Sequence, residues 1–469
     1  MTVADIWIIM PLAILAGASL LILLLGAVVP GRYGTAVGVA ACVGAALWAL
    51  QLQPAALSQT LGVAFTPFAR FFTVLFSLTA AATLLLSHDH NVRRDISGEE
   101  YPATVIFAAF GMAVVSASAN LLILFLGLEA LTFAFYILVA IDLNRAESAE
   151  AGLKYLLLGA ISAACIAFGI ALLYAAAGTL AIPEVVRLTL SAGAQDPIAL
   201  AGWGLLLIGI AFKISLVPAH HWTPDVYQGA PTPVVAFLST ASKGAAIAFL
   251  LLLLPSGSGF KTLHTPLWWL SLLSMLVGNL AALLQTNLKR MLAYSSIAQM
   301  GYLVLALLTG SSEGFAAVIL YVVVYTAMNL AAFGAVASLT ESVGMENVED
   351  YRGVGYSRPF QAGILALALF ALAGIPPTAG FIGKFFIFYA AFRGGEIPLA
   401  IVGILAAAVS AYYYLRVVVN LYMHAGDAPE SRKSASMTES IALSAAALVI
   451  LAVGIYPSPL LRLIDSILR

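Results

Sequence analysis

The sequence predicts an all-α polytopic membrane protein of about 14 transmembrane helices, with two inverted five-helix repeats and discontinuous helices 7 and 12. Three observations predict it. Of 469 residues, 62% are hydrophobic and 9% charged, against about 25% charged in a soluble domain. The apolar residues come in helix-length runs, not in the alternating ten-residue segments of an outer-membrane barrel. Two runs are broken by proline in similar ways, at Pro218 and at Pro376–Pro377. Such breaks free backbone carbonyls, so they persist where they face protein or water rather than lipid. Paired broken segments in two halves point to inverted repeats and an ion path.

A span needs roughly 17–25 apolar residues. Helix 1 is read at 6–29; its apolar run has no Lys or Arg before Arg32, which makes it a first span and not a signal peptide. Helices 2 and 3 are read at 34–53 and 63–87, before the charged loop HDHNVRRDISGEE. The 41 residues 101–141 are too many for one helix and divide near Ser118–Asn120 into helices 4 and 5. Helix 6 is 153–178, helix 7 begins near 199, and helices 8 to 11 are 232–254, 266–286, 290–310 and 314–340. Helix 12 is 360–392, interrupted by Gly374, Pro376, Pro377 and Gly380; helices 13 and 14 are 397–422 and 438–464. Residues 1–100 therefore hold helices 1–3, 101–254 the first repeat, 266–422 the second, and 423–469 the last helix.

An even number of spans puts both termini on one side. Loops after odd-numbered helices carry eleven basic residues: Arg32, Arg93, Arg94, Arg145, Lys154, Lys289, Arg290, Arg352, Arg358, Arg432 and Lys433. Loops after even-numbered helices, with the termini, carry five: Arg187, Lys261, Arg393, Arg462 and Arg469. Basic loops stay inside, so the odd loops are expected in the cytoplasm of a bacterial inner membrane and both termini in the periplasm. A net charge of -1 argues against nucleic acid as a partner. Cys42 and Cys165 lie in separate spans, and no CxxC, metal-spaced cluster or GxGxxG after a strand occurs. No cofactor site is expected in this chain.

Charge inside the spans is sparse. Of 22 acidic residues Glu129 alone is mid-span, and of seven lysines Lys213, Lys243 and Lys384 fall within apolar segments. Ionisable groups so placed are functional candidates. Glu129 is the acid available to pair with Lys213. Burial disfavours the charged form of a lysine and a nearby carboxylate restores it, a switch that arginine cannot provide. His220 and His221 follow the first break, where a proton relay and a hydrogen-bonded cap both remain open. Zinc is not expected there, because adjacent histidines on a helix point apart and a third ligand is missing. Tyr294, Ser295, Ser296 and Gln299 either line a hydrated path with Lys289 at its cytoplasmic mouth or are helix-packing groups. Lys154 reads as a snorkelling side chain, and Arg70 and Arg416 as anchors.

Four motifs, KISLVPAHHWTPDVYQGAPTPVVAFLSTASK (213–243), NLKRMLAYSSIAQMGY (287–302), LAGIPPTAGFIGKF (372–385) and AYYYLRV (411–417), carry a resemblance. The chain resembles, over essentially its whole length, the antiporter-like membrane subunits of respiratory complex I. The ASK context of Lys243, Lys384 in GFIGKF and the length separate it from the L and M members. The resemblance implies a proton-translocating subunit of an NADH–quinone oxidoreductase. Glu129 and Lys213 would be the ion pair of the first half, Lys243 the central carrier and Lys384 the exit-side carrier. The family usually has histidine where Gln299 stands, so bound water would have to bridge there. FMN, iron–sulfur clusters and quinone would belong to partner subunits. Expected partners are antiporter-like subunit M, small membrane subunits, the lateral helix of subunit L and the lipid bilayer. The alternatives are a subunit of a multisubunit cation/proton antiporter, or of a membrane hydrogenase or other donor-linked dehydrogenase.

Overall fold

The computed structural model describes residues 3–28, 33–53, 56–58, 62–96, 98–191, 196–254, 261–340, 345–425 and 435–468. Arg32, Arg432, Lys433 and Arg469 of the charge pattern lie outside them. The first six long helices are α1 Val3–Val28, α2 Gly34–Gln51, α3 Pro67–Arg93, α4 Glu100–Ala117, α5 Leu121–Val139 and α6 Ala146–Ala177. A short hairpin, β1 Ala56–Ser58 with β2 Val63–Phe65, joins α2 to α3. The apolar run 101–141 divides where expected, because Asn120 takes extended backbone and its side chain accepts from Ile123 N, the usual N-cap bond. After the short α7 Ile182–Val186 come α8 Pro197–Lys213 and α9 Trp222–Gly229. Then α10 Thr232–Phe237 passes through a π-turn, Leu238–Ser242, into α11 Lys243–Leu253. The second half holds α12 Lys261–Leu283, α13 Leu288–Leu307, α14 Ser312–Thr340, the short α15 Val354–Ser357, α16 Pro359–Ala373, α17 Ala379–Arg393 and α18 Ile397–Met423. The chain closes with α19 Met437–Ile455 and α20 Ser458–Leu468.

Among the described residues eleven helices are long and apolar enough to cross a membrane, α10 and α11 counting as one. The broken pairs α8/α9 and α16/α17 and the 20-residue α13, roughly 30 Å long, bring the spans to 14. Several boundaries differ from the sequence reading, among them the third helix, which continues through part of the charged loop to Arg93, and the ninth, which starts at Lys261. The third helix starts at Pro67, after the hairpin, with Thr66 as its cap. The sixth starts at Ala146, because Glu147 and Glu150 let its first turns project into water as exposed helix. The fourteenth ends at Ile455: Pro457 lacks the N–H that would continue it, and the chain restarts as the amphipathic α20.

The centre is α10/α11, α13 and α14, buried on nearly every residue. Small residues allow backbones to touch around them: a Cβ on Gly111 of α4 would meet Leu131 N of α5 at 2.6 Å, and one on Gly127 would meet Val115 N at 2.9 Å, the close packing that membrane helices favour. Arg70 and Arg416, read as anchors, each close a helix end. Arg70 donates to the carbonyls of Ala49 and Leu50, and Arg416 to that of Gln285. Cations suit the negative end of the helix dipole. Sequence reading passed over a buried acid, Glu439, at the start of α19. It is 3% exposed, 2.6 Å from Arg93 of α3, and accepts from Ser338 of α14 at 3.2 Å. It ties the first three helices to the last.

The second helix break depends on one glycine. A Cβ on Gly380 would stand 1.7 Å from the Ala371 carbonyl oxygen, a backbone atom. Gly380→Ala is expected to push α16 and α17 apart at a cost of about 1–3 kcal/mol. A lowered melting temperature of the purified complex would register it. Gly44→Ala, with nothing within 4 Å, serves as control and should leave the melting temperature unchanged or raised.

Candidate functional site

The two breaks are built alike and finished differently. Helix α8 stops at Lys213, Ser215 takes φ +65°, and Pro218 lacks an N–H. The carbonyls left free find partners: Ala211 O accepts from Leu216 N at 2.8 Å and Phe212 O from the Trp222 indole at 2.9 Å. Val217 N donates to Ser274 of α12 at 2.9 Å, so the first break is held by the second half of the chain. Helix α16 stops at Ala373, with Gly374 at φ +87°. Here the last carbonyls are taken by a charge. Lys384 Nζ donates to Leu372 O at 2.8 Å and Ala373 O at 3.2 Å. An ammonium at a helix C-terminus is favoured by the macrodipole.

The structure brings Lys213 and Glu129 together. Lys213 Nζ lies 3.3 Å from Glu129 Oε1 and donates to Thr132 Oγ1 at 2.7 Å. Thr132 stands one turn along α5 from the acid, so both face α8. Lys243 follows the π-turn directly, a distortion often found at functional positions. It is 1% exposed, donates to Ser296 Oγ at 2.6 Å, and stands 5.6 Å from the centre of the Tyr227 ring. Ser296 is shared with the Tyr325 hydroxyl at 2.6 Å. One turn further along α13, Gln299 accepts from the Tyr321 hydroxyl. Its amide nitrogen donates to Leu372 O at 3.4 Å and to the Tyr414 hydroxyl at 3.3 Å. The Leu372 carbonyl thus joins Gln299 to Lys384. A branch runs from Tyr414 to Ser295, and beside it Tyr413 donates to Asn279 Oδ1 at 3.0 Å and Asn279 to the Tyr302 hydroxyl at 3.0 Å. The Tyr302 ring lies 5.5 Å from Lys384 Nζ.

Two clusters result. One is the ion pair of α5 and α8; the other runs from Lys243 to Lys384, with a single turn of α13 between its two hydrogen-bonded segments. Between Lys213 and Lys243 stands α9, whose Trp222 contacts Phe212 and whose Tyr227 contacts Lys243. His220 and His221 are not joined to either cluster by a described side-chain bond. Their rings face each other at 4.4 Å, His220 buried with Nδ1 unpartnered and His221 exposed. Ser295, Ser296 and Gln299 are in the network. Lys289 is buried and donates to Ala230 O at 3.0 Å. Lys154 does more than snorkel: it lies 2.8 Å from Glu150 and 2.9 Å from Asp225. Among the described residues no group of three His, Cys, Asp or Glu could hold a metal ion.

Sequence reading missed Thr132, Tyr321, Tyr325, Tyr413, Asn279 and the Leu372 carbonyl. A signal existed for the tyrosines. Tyr321, Tyr325 and Asn329 recur every fourth residue along an otherwise apolar helix, which puts them on one face. The carbonyl had none, since its availability depends on the break.

Fourteen spans, two broken helices and a buried row of lysines define a class, the antiporter-like membrane subunits. Residues 118–410 match the family described as NADH:quinone oxidoreductase/Mrp antiporter, TM. Among relatives, the chain is 61% identical to the NADH-quinone oxidoreductase subunit N of Geobacter metallireducens over 100% of both chains. A solved structure of respiratory complex I from Thermus thermophilus with bound Aureothin has a chain that matches 96% of this one and 98% of its own length, with TM-score 0.82 and 35% identity. A chain of the Mrp complex from a Dietzia species shares the fold, with TM-score 0.86 over 100% of this chain and 97% of that one, at 19% identity. The chain belongs to the NADH-quinone oxidoreductase subunit N family.

Proposed function

We propose that this chain translocates protons as the N subunit of a membrane-bound NADH–quinone oxidoreductase, driven by electron transfer in its partners. The observation that carries the reading is a pair of hydrogen-bonded segments one turn of α13 apart, Lys243 with Ser296 and Gln299 with Lys384 through the Leu372 carbonyl. Proton movement needs groups that gain and lose a proton, joined by hydroxyls, amides or water. Lysines in apolar surroundings supply the first and these segments the second. Glu129 beside Lys213 sets the charge at the first station, Lys243 is the central carrier, and Lys384 passes the proton outward. His220 and His221, beside the exposed Pro218, are a relay to water at the first break. Residues 101–254 and 266–422 act as inverted repeats, each with one broken helix next to a buried lysine. Odd loops face the cytoplasm and both termini the periplasm. FMN, iron–sulfur clusters and quinone reside in partner subunits, with subunit M, small membrane subunits and the lateral helix of subunit L as neighbours.

Purification in mild detergent, followed by reconstitution into vesicles, tests this. NADH-oxidising and iron–sulfur polypeptides should co-purify, and NADH with quinone should drive proton uptake into the vesicles. Sodium efflux that needs neither NADH nor quinone would replace this reading with that of a cation/proton antiporter. Gln299 gives a finer test. Gln299→Leu removes the partner of Tyr321 and one partner of the Leu372 carbonyl, and is expected to lower protons moved per NADH several-fold. Gln299→His keeps a polar bridge and should retain most of the activity.

A further inference from the structure

Two cavities lie side by side at the end of the molecule that carries the basic loops. The outer one, about 260 Å³, is walled by Glu147, Glu150, Lys154 and Asp225, among which the two glutamates are exposed. The inner one, about 220 Å³, has His90, Asp142, Lys289 and Tyr351 in its wall, all buried. Among the described residues, Arg145 and Glu346 alone line both cavities. Their side chains meet at 3.4 Å. The inner cavity also touches Ala230, Pro231 and Thr232. These residues form the turn from α9, which carries Tyr227, into the helix that carries Lys243.

We propose that the Arg145–Glu346 ion pair is a gate between an outer aqueous vestibule and an inner polar chamber, and that water carrying protons reaches the turn below Lys243 when it opens. The proposal rests on the proton-translocating reading above and names a control point for it. One side of the pair is fixed and the other can move. Glu346 is pinned by its backbone, since Leu288 N donates to its carbonyl at 2.9 Å and its own N–H donates to Asp350 at 3.0 Å. Arg145 sits on the N-cap of α6 and has a second partner, Glu147, at 3.6 Å. It can swing toward Glu147 and leave the passage without becoming an isolated charge. Both side chains are part-exposed, so the pair is weak and salt-screened, as a gate that opens often requires. Arg145 belongs to the first half of the chain and Glu346 to the second. A small shift between the halves would therefore act on it directly.

The inner chamber can be probed through Thr232→Cys in the assembled complex, in vesicles with the basic-loop face outward. The probe is a small water-soluble methanethiosulfonate, and the complex without that cysteine gives the background from Cys42 and Cys165. Adding Glu346→Gln is expected to speed modification by about fivefold, the shift in a two-state opening when one part-exposed ion pair is lost. Arg145→Glu should do the same, and Arg145→Glu combined with Glu346→Arg should restore the slow rate. Restoration by the swapped pair separates a gate from local unfolding, which the double change would not repair. Equal rates in all four backgrounds would overturn the gate. If the rates respond but Lys243 variants still pump, the gate stands and the carrier role of Lys243 falls.

Discussion

Lys243→Ala is expected to reduce NADH-driven proton translocation about a hundredfold, the scale on which removal of a positioned proton-transfer group acts. Lys243 is 1% exposed and its described partners are a serine hydroxyl and the face of a tyrosine ring. No carboxylate forms an ion pair with it among the described residues. Its charge is therefore held by dipoles alone, which a hydroxyl and a ring quadrupole supply weakly. Lys213 differs in having the Glu129 carboxylate beside it at 3.3 Å. Lys243→Arg separates charge from proton transfer, because a guanidinium keeps its proton in proteins. It is expected to fail as Lys243→Ala does. Lys243→Met fills the same volume without charge and controls for packing; it should assemble normally and not pump. Vesicle acidification at normal rates in any of the three would sink the assignment.

Much of this was legible in the sequence because the membrane simplifies the physics. Each span must satisfy its own backbone, so helix positions follow from apolar run length, and proline breaks stand out. The same constraint makes a lysine such as Lys384 conspicuous. Four things were hidden. The hairpin before α3 is too short to leave a periodic signal. The stop at Pro457 was overridden by apolar residues on both sides, which a count of hydropathy joins into one helix. The chemistry between Lys243 and Lys384 lies in tyrosines from α14 and α18 and in a main-chain carbonyl. Tyrosine in a membrane helix is common enough to carry little information until its neighbours are known. Glu439 was hidden for the opposite reason: a glutamate three residues after Ser436 reads as a helix cap, and it is one, but it is also buried against Arg93.

Glu129→Ala is the second substitution with a large expected effect, and its sign depends on Lys213. Removing one partner of a buried ion pair leaves the other uncompensated, at a cost of about 3–5 kcal/mol, whereas removing both is far milder. The side chains here are 4% exposed for Lys213 and 26% for Glu129, so the lower part of that range applies. Thr132 softens the loss further, since it holds Lys213 Nζ at 2.7 Å whatever happens to the acid. Glu129→Ala should thus lower the yield and thermal stability of the assembled complex. Glu129→Ala with Lys213→Ala should recover most of the stability while pumping stays lost. A coupling of about 0.5–3 kcal/mol between the two sites is the expected result of that cycle. Strictly additive effects of Glu129→Ala and Lys213→Ala would mean that the 3.3 Å contact contributes nothing, and Lys213 would then have to be held by Thr132 and by water. Glu129→Gln discriminates further. It keeps an oxygen for the Lys213 ammonium but no charge, so stability should fall less than with alanine. Translocation should fall as far if the pair supplies the proposed change in charge, which an amide cannot undergo.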